Sequence, residues 1–171
     1  MNQINDNSFK LRAFDYSDVS SLTLHANNAK IANNLMDRFP YPYNKEDASA
    51  FIATVMKENP VQVFAIEIGG NAVGAIGLLL QDDIYCKNAE LGYWLGEPFW
   101  NKGIMQKAIP QIVEYGFQTF SIERIFARPF GRNKASQKVL IKTGFLFEYE
   151  LQKVLFKKGQ YEDEICFGIR K

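Results

Sequence analysis

The residues of this chain best placed to do chemistry lie in "WNKGIM" (100–105), which follows the strand-like "AELGYWLG" (89–96) and opens a long helix. A helix entered this way presents backbone amides without intrahelical partners, and its dipole adds about half a positive charge there. Such amides curl around a phosphate when no side chain blocks the approach. Gly103 leaves that approach open, and Lys102 adds a positive charge. A glycine before a helix is also an ordinary turn, and Trp100 is also an ordinary core residue. A second stretch, "RNKASQKVLIKTGF" (132–145), opens another helix after the next strand, with Asn133 as its N-cap. Capping alone accounts for Asn133, and Lys138 and Lys142, four apart, alone read as a solvated stripe. Two helix entries, each after a strand and separated by one strand, suit the two sides of a cleft for a ligand bearing several phosphates.

Periodicity supplies the elements that must hold these turns. "FKLRAF" alternates as a strand from Phe9 to Phe14, and Asp15 or Ser17 then offers a cap for a helix to about His25. "NNAKIANNLM" predicts a second short helix, broken by "FPYPY" (39–43). Asn44 or Asp47 caps a third, whose apolar face is Ala50, Phe51, Ile52, Val55 and Met56. The period then changes: "VQVFAIEI" (61–68), the turn "GGN" (69–71) and "AVGAIGLLLQ" predict a hairpin, with 89–96 as the next strand.

The following helix carries two apolar series, Ile104, Ala108, Ile112, Phe120 and Met105, Ile109, Val113, Phe117, with Lys107, Gln111, Glu114 and Gln118 opposite. Pro110 removes the hydrogen bond to residue 106, at a cost of roughly 3 kcal/mol, and predicts a kink near Gln106. "RIFAR" (124–128) is a strand. Asn133 opens and Gly144 closes the last helix, and "FLFEYELQKVLF", "KKGQ", "YEDEICFGIR" form a long hairpin. This order implies an α/β fold: a mixed, mostly antiparallel central sheet with helices on both faces.

Composition excludes several function classes. The length of 171 residues suits one domain, 1–171. With 20 Lys and Arg against 19 Asp and Glu, the chain has no global charge that points to nucleic acid. The start, "MNQINDNSFK", lacks an export pattern, and the apolar run 72–80 is too short to span a bilayer. Cys86 and Cys166 have no metal-ligand spacing, which favours reduced thiols, a cytoplasmic setting and no metal. His25 is the sole histidine and reads as structural, and no Ser-His-Asp or Cys-His set appears. Neither "GxxxxGK[ST]" nor "GxGxxG" occurs, which argues against a plain nucleotide-binding domain.

The pairing of "ELGYWLGEPFWNKGIMQKAI" with "NKASQKVLIKTGF" resembles the GNAT superfamily of acetyl-CoA-dependent N-acetyltransferases, in particular the branch of ribosomal-protein N-terminal acetyltransferases. The superfamily's first motif is Gln/Arg-x-x-Gly-x-Gly/Ala. Trp100 takes its first place, as is common in this branch, Gly103 its central glycine, and Met105 departs from the usual Gly or Ala. "N-x-x-S-x-x-V-L-x-K-x-G-F" matches from Asn133 to Phe145. The order of elements also agrees, so the resemblance covers nearly the whole chain.

The resemblance implies that the strand ending at Leu95, with Trp94 beside it, splays from its neighbour to admit the pantetheine arm, with pairing ended by Pro98. The amides of Trp100, Asn101, Lys102, Gly103, Ile104, Met105 and Gln106 would hold the pyrophosphate. Asn133 and Ser136 would face pantetheine and sulfur, and Arg132, Lys134 and Lys138 the adenosine 3′-phosphate. The reaction would be direct attack of an amine on the thioester in a ternary complex. Glu90 is the expected base, with a solvent-facing strand-edge glutamate as the other reading, and an N–H near Leu95 would steady the oxyanion. Leu140 stands where many GNAT enzymes carry a tyrosine acid, and Ser136 looks like the replacement. "FPYPY" and the "KKGQYEDE" hairpin tip (157–164) are expected on the acceptor side, its acidic residues drawing a cationic amine. The expected acceptor is a peptide or protein N-terminal amine, without nucleic acid or membrane, for a monomer or homodimer. A small-molecule amine acetyltransferase and a catalytically silent acyl-CoA sensor are the alternatives.

Overall fold

The computed structural model describes residues 4–6 and 9–171. The start of the chain, read above for an export pattern, lies in part outside them. Two compact units form: residues up to Gly77 with Tyr93–Ile104, and Leu78–Gly92 with Met105–Lys171.

In the first unit β1 (Ile4–Asp6), β2 (Phe9–Arg12), β3 (Val63–Ile68) and β4 (Asn71–Leu80, of which 71–77 lie here) follow one another as antiparallel neighbours. The β3–β4 turn is Gly69-Gly70, with φ of 57° and 81°, so Asn71 already belongs to the strand. Two left-handed positions match the strand twist, and glycine reaches them without a Cβ penalty. The helices are α1 (Val19–Ala26), α2 (Ala29–Ala32) and α3 (Lys45–Val55). Asp15, rather than Ser17, caps a short 3-10 turn ahead of α1, and the Ser17 amide donates to it at 2.8 Å. Asn44 caps α3, and Asp47 returns the bond as its capping-box partner. Leu22 and Ala26 of α1 with Ala48, Ile52 and Val55 of α3 bury against Ala65, Ala72 and Ala75 of the strands.

In the second unit the strand order is β5 (Asn88–Leu95, of which 88–92 lie here), β6 (Arg124–Ala127), β8 (Gln160–Arg170), β7 (Leu146–Lys157). The β5–β6 pairing is parallel and the others antiparallel. β8 begins at Gln160, so the hairpin tip is Lys158-Gly159, and Tyr161–Glu164 lie within the strand rather than at the tip as expected. The helix α4 (Ile104–Thr119) runs unbroken through Pro110. Ile104, Ala108, Ile109 and Ile112 are buried, while Lys107, Glu114 and Gln118 face water. Gly116 has a role that periodicity does not reveal. A Cβ there would run into Leu78 Cδ1 and lie 3.2 Å from Ile125 Cδ1, so its absence seats α4 directly on the strands. The helix α5 (Lys134–Lys142) closes at Gly144, φ 92°. This is a mixed α/β fold with a mostly antiparallel sheet. Among the described residues no helix is long and apolar enough to cross a membrane.

Candidate active site

In the first unit the end of β5 is fixed by its backbone. The Gly96 N–H donates to the Val73 carbonyl at 2.7 Å. Successive residues of a strand face opposite ways, so the N–H and C=O of Leu95 point away from β4. That carbonyl accepts the Trp100 indole N–H at 2.6 Å. Trp100 therefore clamps the loop to the strand end, a role its reading as either core or ligand-facing did not contain. Between the two, Glu97–Phe99 form a 3-10 turn with Pro98 inside it. Asn28 donates to Glu97 at 2.7 Å, and Lys30 pairs with the same carboxylate. His25 packs against Gly96, where a Cβ would lie 2.9 Å from Nδ1, and meets the Phe99 ring edge-on at 5.4 Å. Burial lowers the imidazole's pKa from its ordinary value. Trp94 is half-buried and stands edge-on to Phe39 at 5.8 Å.

The loop then makes two left-handed steps, Asn101 at φ 59° and Gly103 at φ 75°. Lys102 between them is exposed, with its ammonium 5.4 Å above the Phe99 ring centre. A Cβ at Gly103 would meet nothing within 4 Å. The backbone conformation calls for glycine, and the space in front of it is open. α4 starts at the next residue, so the amides of its first turn follow directly; Met105 is half-buried and Gln106 exposed.

In the second unit Asn133 caps α5, its Oδ1 accepting from the Ser136 N–H at 3.2 Å. This leaves the carboxamide NH2 as the donor end of Asn133. Gln137, which the sequence reading missed, is buried and donates to the carbonyls of Phe130 at 3.1 Å and Gly131 at 2.9 Å. It ties the first turn of α5 to the loop after β6. Ser136 is half-buried and Lys138 exposed. Arg132 pairs with Glu162 at 2.6 Å, and Lys134 reaches Gln137 at 3.4 Å.

Glu90 is held rather than free at a strand edge. Its Oε1 accepts from Arg128 Nε at 3.1 Å and its Oε2 from Arg128 Nη2 at 2.8 Å. The β5–β6 register ends at this level, with Glu90 opposite Phe126, while β5 continues to Leu95. Arg128 Nη1 lies 3.7 Å from Glu164, whose other oxygen accepts from the Tyr149 hydroxyl at 3.4 Å. Burial pushes the Tyr149 hydroxyl up to about 12, so it stays a donor. The acidic residues expected to draw an amine thus have partners of their own: Arg132 for Glu162, the Lys153 N–H at 2.8 Å for Asp163, and Arg128 and Tyr149 for Glu164.

Residues 9–146 match the family described as acetyltransferase (GNAT) domain. The chain belongs to the GNAT family. Its relatives include the SPbeta prophage-derived uncharacterized N-acetyltransferase YokL of Bacillus subtilis, 28% identical over 138 residues, which are 80% of this chain and 76% of that protein. The ribosomal-protein-serine acetyltransferase of Escherichia coli is 30% identical over 77 residues, 45% of this chain and 43% of that one. Among solved structures, the GNAT fold here is similar to RimL, a ribosomal alpha-N-protein acetyltransferase in complex with coenzyme A. The TM-score is 0.86 at 21% identity, over 99% of this chain and 98% of that one. This GNAT chain is an enzyme of the N-acetyltransferase kind.

Proposed function

We propose that this GNAT enzyme moves the acetyl group of acetyl-CoA to the α-amine of a protein or peptide N-terminus, in one domain spanning 1–171. The observation that carries the cofactor assignment is the turn at Gly103, left-handed, open on its outer side and continued by the first amides of a sixteen-residue helix. That is the backbone a pyrophosphate needs. The amides of Trp100–Gln106 would hold it, with Lys102 beside them. Trp94 and Leu95 would meet the pantetheine arm, and the outward Leu95 N–H would donate to the developing oxyanion. The Asn133 NH2 and Ser136 would face pantetheine and sulfur, and Arg132, Lys134 and Lys138 the 3′-phosphate. The kinship with a ribosomal-protein-serine acetyltransferase supports a protein N-terminus as acceptor.

An acceptor that arrives as an ammonium must lose a proton before its nitrogen lone pair can attack, and Glu90 is the proposed base. Each of its oxygens accepts one N–H from Arg128, and a second lone pair on each remains for the amine's proton. Ser136 would donate to the departing thiolate. A serine is a weak acid, so most of the rate would come from positioning.

The test is free-thiol release from acetyl-CoA with Ser- or Ala-initial peptides beside a panel of small amines, for wild type and Gly103→Glu. Release that needs a peptide amine and vanishes in the variant supports the proposal. Release with small amines alone moves the acceptor to that class. Tight acetyl-CoA binding without release to any amine makes the protein a sensor, and failure to bind removes the cofactor assignment.

A further inference from the structure

We infer that Arg128 is the positioning residue of the transfer: its planar fork fixes both carboxylate oxygens of Glu90, and Glu164 fixes the fork. The inference rests on the reading of Glu90 as the base. Glu90 is a partly buried carboxylate, its side chain 16% exposed, and at such a site a carboxylate needs both compensation and a fixed direction. A lysine would supply charge from a single point. The guanidinium supplies two parallel N–H donors in one plane, which set the rotation of the carboxylate as well as its place.

The neighbouring groups leave this task to Arg128. Arg124, two positions before Phe126 on the same strand, is committed elsewhere: its Nε donates to Glu148 at 2.9 Å and its Nη1 to Asn88 at 3.0 Å. Both guanidinium groups lie over the Phe126 ring, Arg124 at 4.5 Å from its centre and Arg128 at 5.5 Å. The ring therefore backs Arg128 while Nη1 faces Glu164, and Tyr149 holds the far oxygen of that glutamate. Every member has a partner, and the chain of contacts ends on Glu90. Such a chain holds direction better than one ion pair does, because displacing any link disturbs the next.

The experiment compares kcat and the acetyl-CoA KM of the full chain for wild type, Arg128→Gln, Arg128→Lys, Glu90→Gln and the Glu90→Gln/Arg128→Gln double variant. The acceptor is whichever of the Ser-initial peptides and small amines above turns over. Melting temperatures check that each variant folds, and Arg128→Lys, which keeps the charge, covers a folding failure of Arg128→Gln. Misplacing a reacting group by about 1 Å costs on the order of 100-fold, so Arg128→Gln should lower kcat by roughly that factor with acetyl-CoA KM unchanged. Lysine should not restore it, and in the Glu90→Gln background Arg128→Gln should change kcat less than about twofold, since its effect passes through Glu90. Full rescue by lysine, or the same loss in both backgrounds, overturns the inference while a slow Glu90→Gln leaves the base reading standing. A Glu90→Gln enzyme with wild-type kcat overturns the base reading and the inference with it.

Discussion

Replacing Gly103 by alanine separates a turn that needs glycine for its own conformation from one that needs it for a ligand. Gly70 supplies the comparison, because it sits in a hairpin turn with φ 81° against 75° at Gly103. An added Cβ meets nothing within 4 Å at either position. Neither substitution therefore clashes with protein, and both carry the same backbone penalty, about 1–2 kcal/mol for an L-residue in the left-handed region. For a chain of this size each kcal/mol moves Tm by about 2–4 °C, so both variants should melt roughly 2–8 °C below wild type. Acetyl-CoA should tell them apart. A methyl group in the open space before the α4 amides stands where the pyrophosphate is proposed to sit. Loss of one charge-assisted hydrogen bond there costs about 1.5–3 kcal/mol, or roughly 10- to 150-fold in affinity. Titration calorimetry with acetyl-CoA, backed by its KM in the thiol-release assay, should show that weakening for Gly103→Ala and wild-type binding for Gly70→Ala. Equal affinity in the two variants would refute the phosphate cradle and leave Gly103 as a turn.

Other consequences concern the thiols, the acid limb of stability and the cap of α5. Burial pushes the Cys166 thiol up to about 11, while Cys86 is exposed, so a thiolate-selective reagent at pH 8 should label one thiol per native chain and two after denaturation. Labelling of both in the native protein would contradict the packing around Cys166. The hydrogen bonds from Arg124 hold the Glu148 carboxyl below its ordinary 4.5. A depressed carboxylate contributes stability above that value and loses it as pH falls through the folded-state pKa. Tm measured from pH 6 down to pH 3 should therefore fall more steeply for wild type than for Glu148→Gln, and parallel curves would contradict it. Asn133→Ala removes a cap worth about 1 kcal/mol and should lower Tm by about 2–4 °C. Asn133→Asp keeps the cap, yet exchanges the amide donor for a negative charge, so Tm should hold while the acetyl-CoA KM rises. An unchanged KM in Asn133→Asp would remove Asn133 from the proposed cofactor site.

What the sequence discloses about this protein is what a few adjacent residues determine. Asn44 and Asn133 cap, Gly144 closes α5, Gly69-Gly70 turns the hairpin, and Gly103 takes φ 75° because each conformation is decided within a turn of chain. The proposed cofactor cradle is of this kind, built from backbone amides whose direction the local turn sets. Gly116, Gln137 and the Trp100 indole escape such a reading. Their reasons are Leu78, the Phe130 and Gly131 carbonyls, and the Leu95 carbonyl, contacts that exist only once elements pack or the loop folds back.

The proposed base falls between these two cases. Burial of Ala89, Leu91 and Leu95 sets which face of β5 packs inward, so the alternation in "AELGYWL" already places Glu90, Gly92 and Trp94 together on the other face. A slip of one residue would bury the carboxylate and expose the leucines, so that face is strongly specified. Its partner is not, because nothing near Glu90 in sequence shows that β6 will lie parallel with Phe126 opposite it and Arg128 just beyond. The register between strands converts a strand glutamate into one gripped through both oxygens. The face that carries the proposed catalytic carboxylate is thus written in β5 itself, and its geometry is written in a pairing with a strand that lies across the whole of α4.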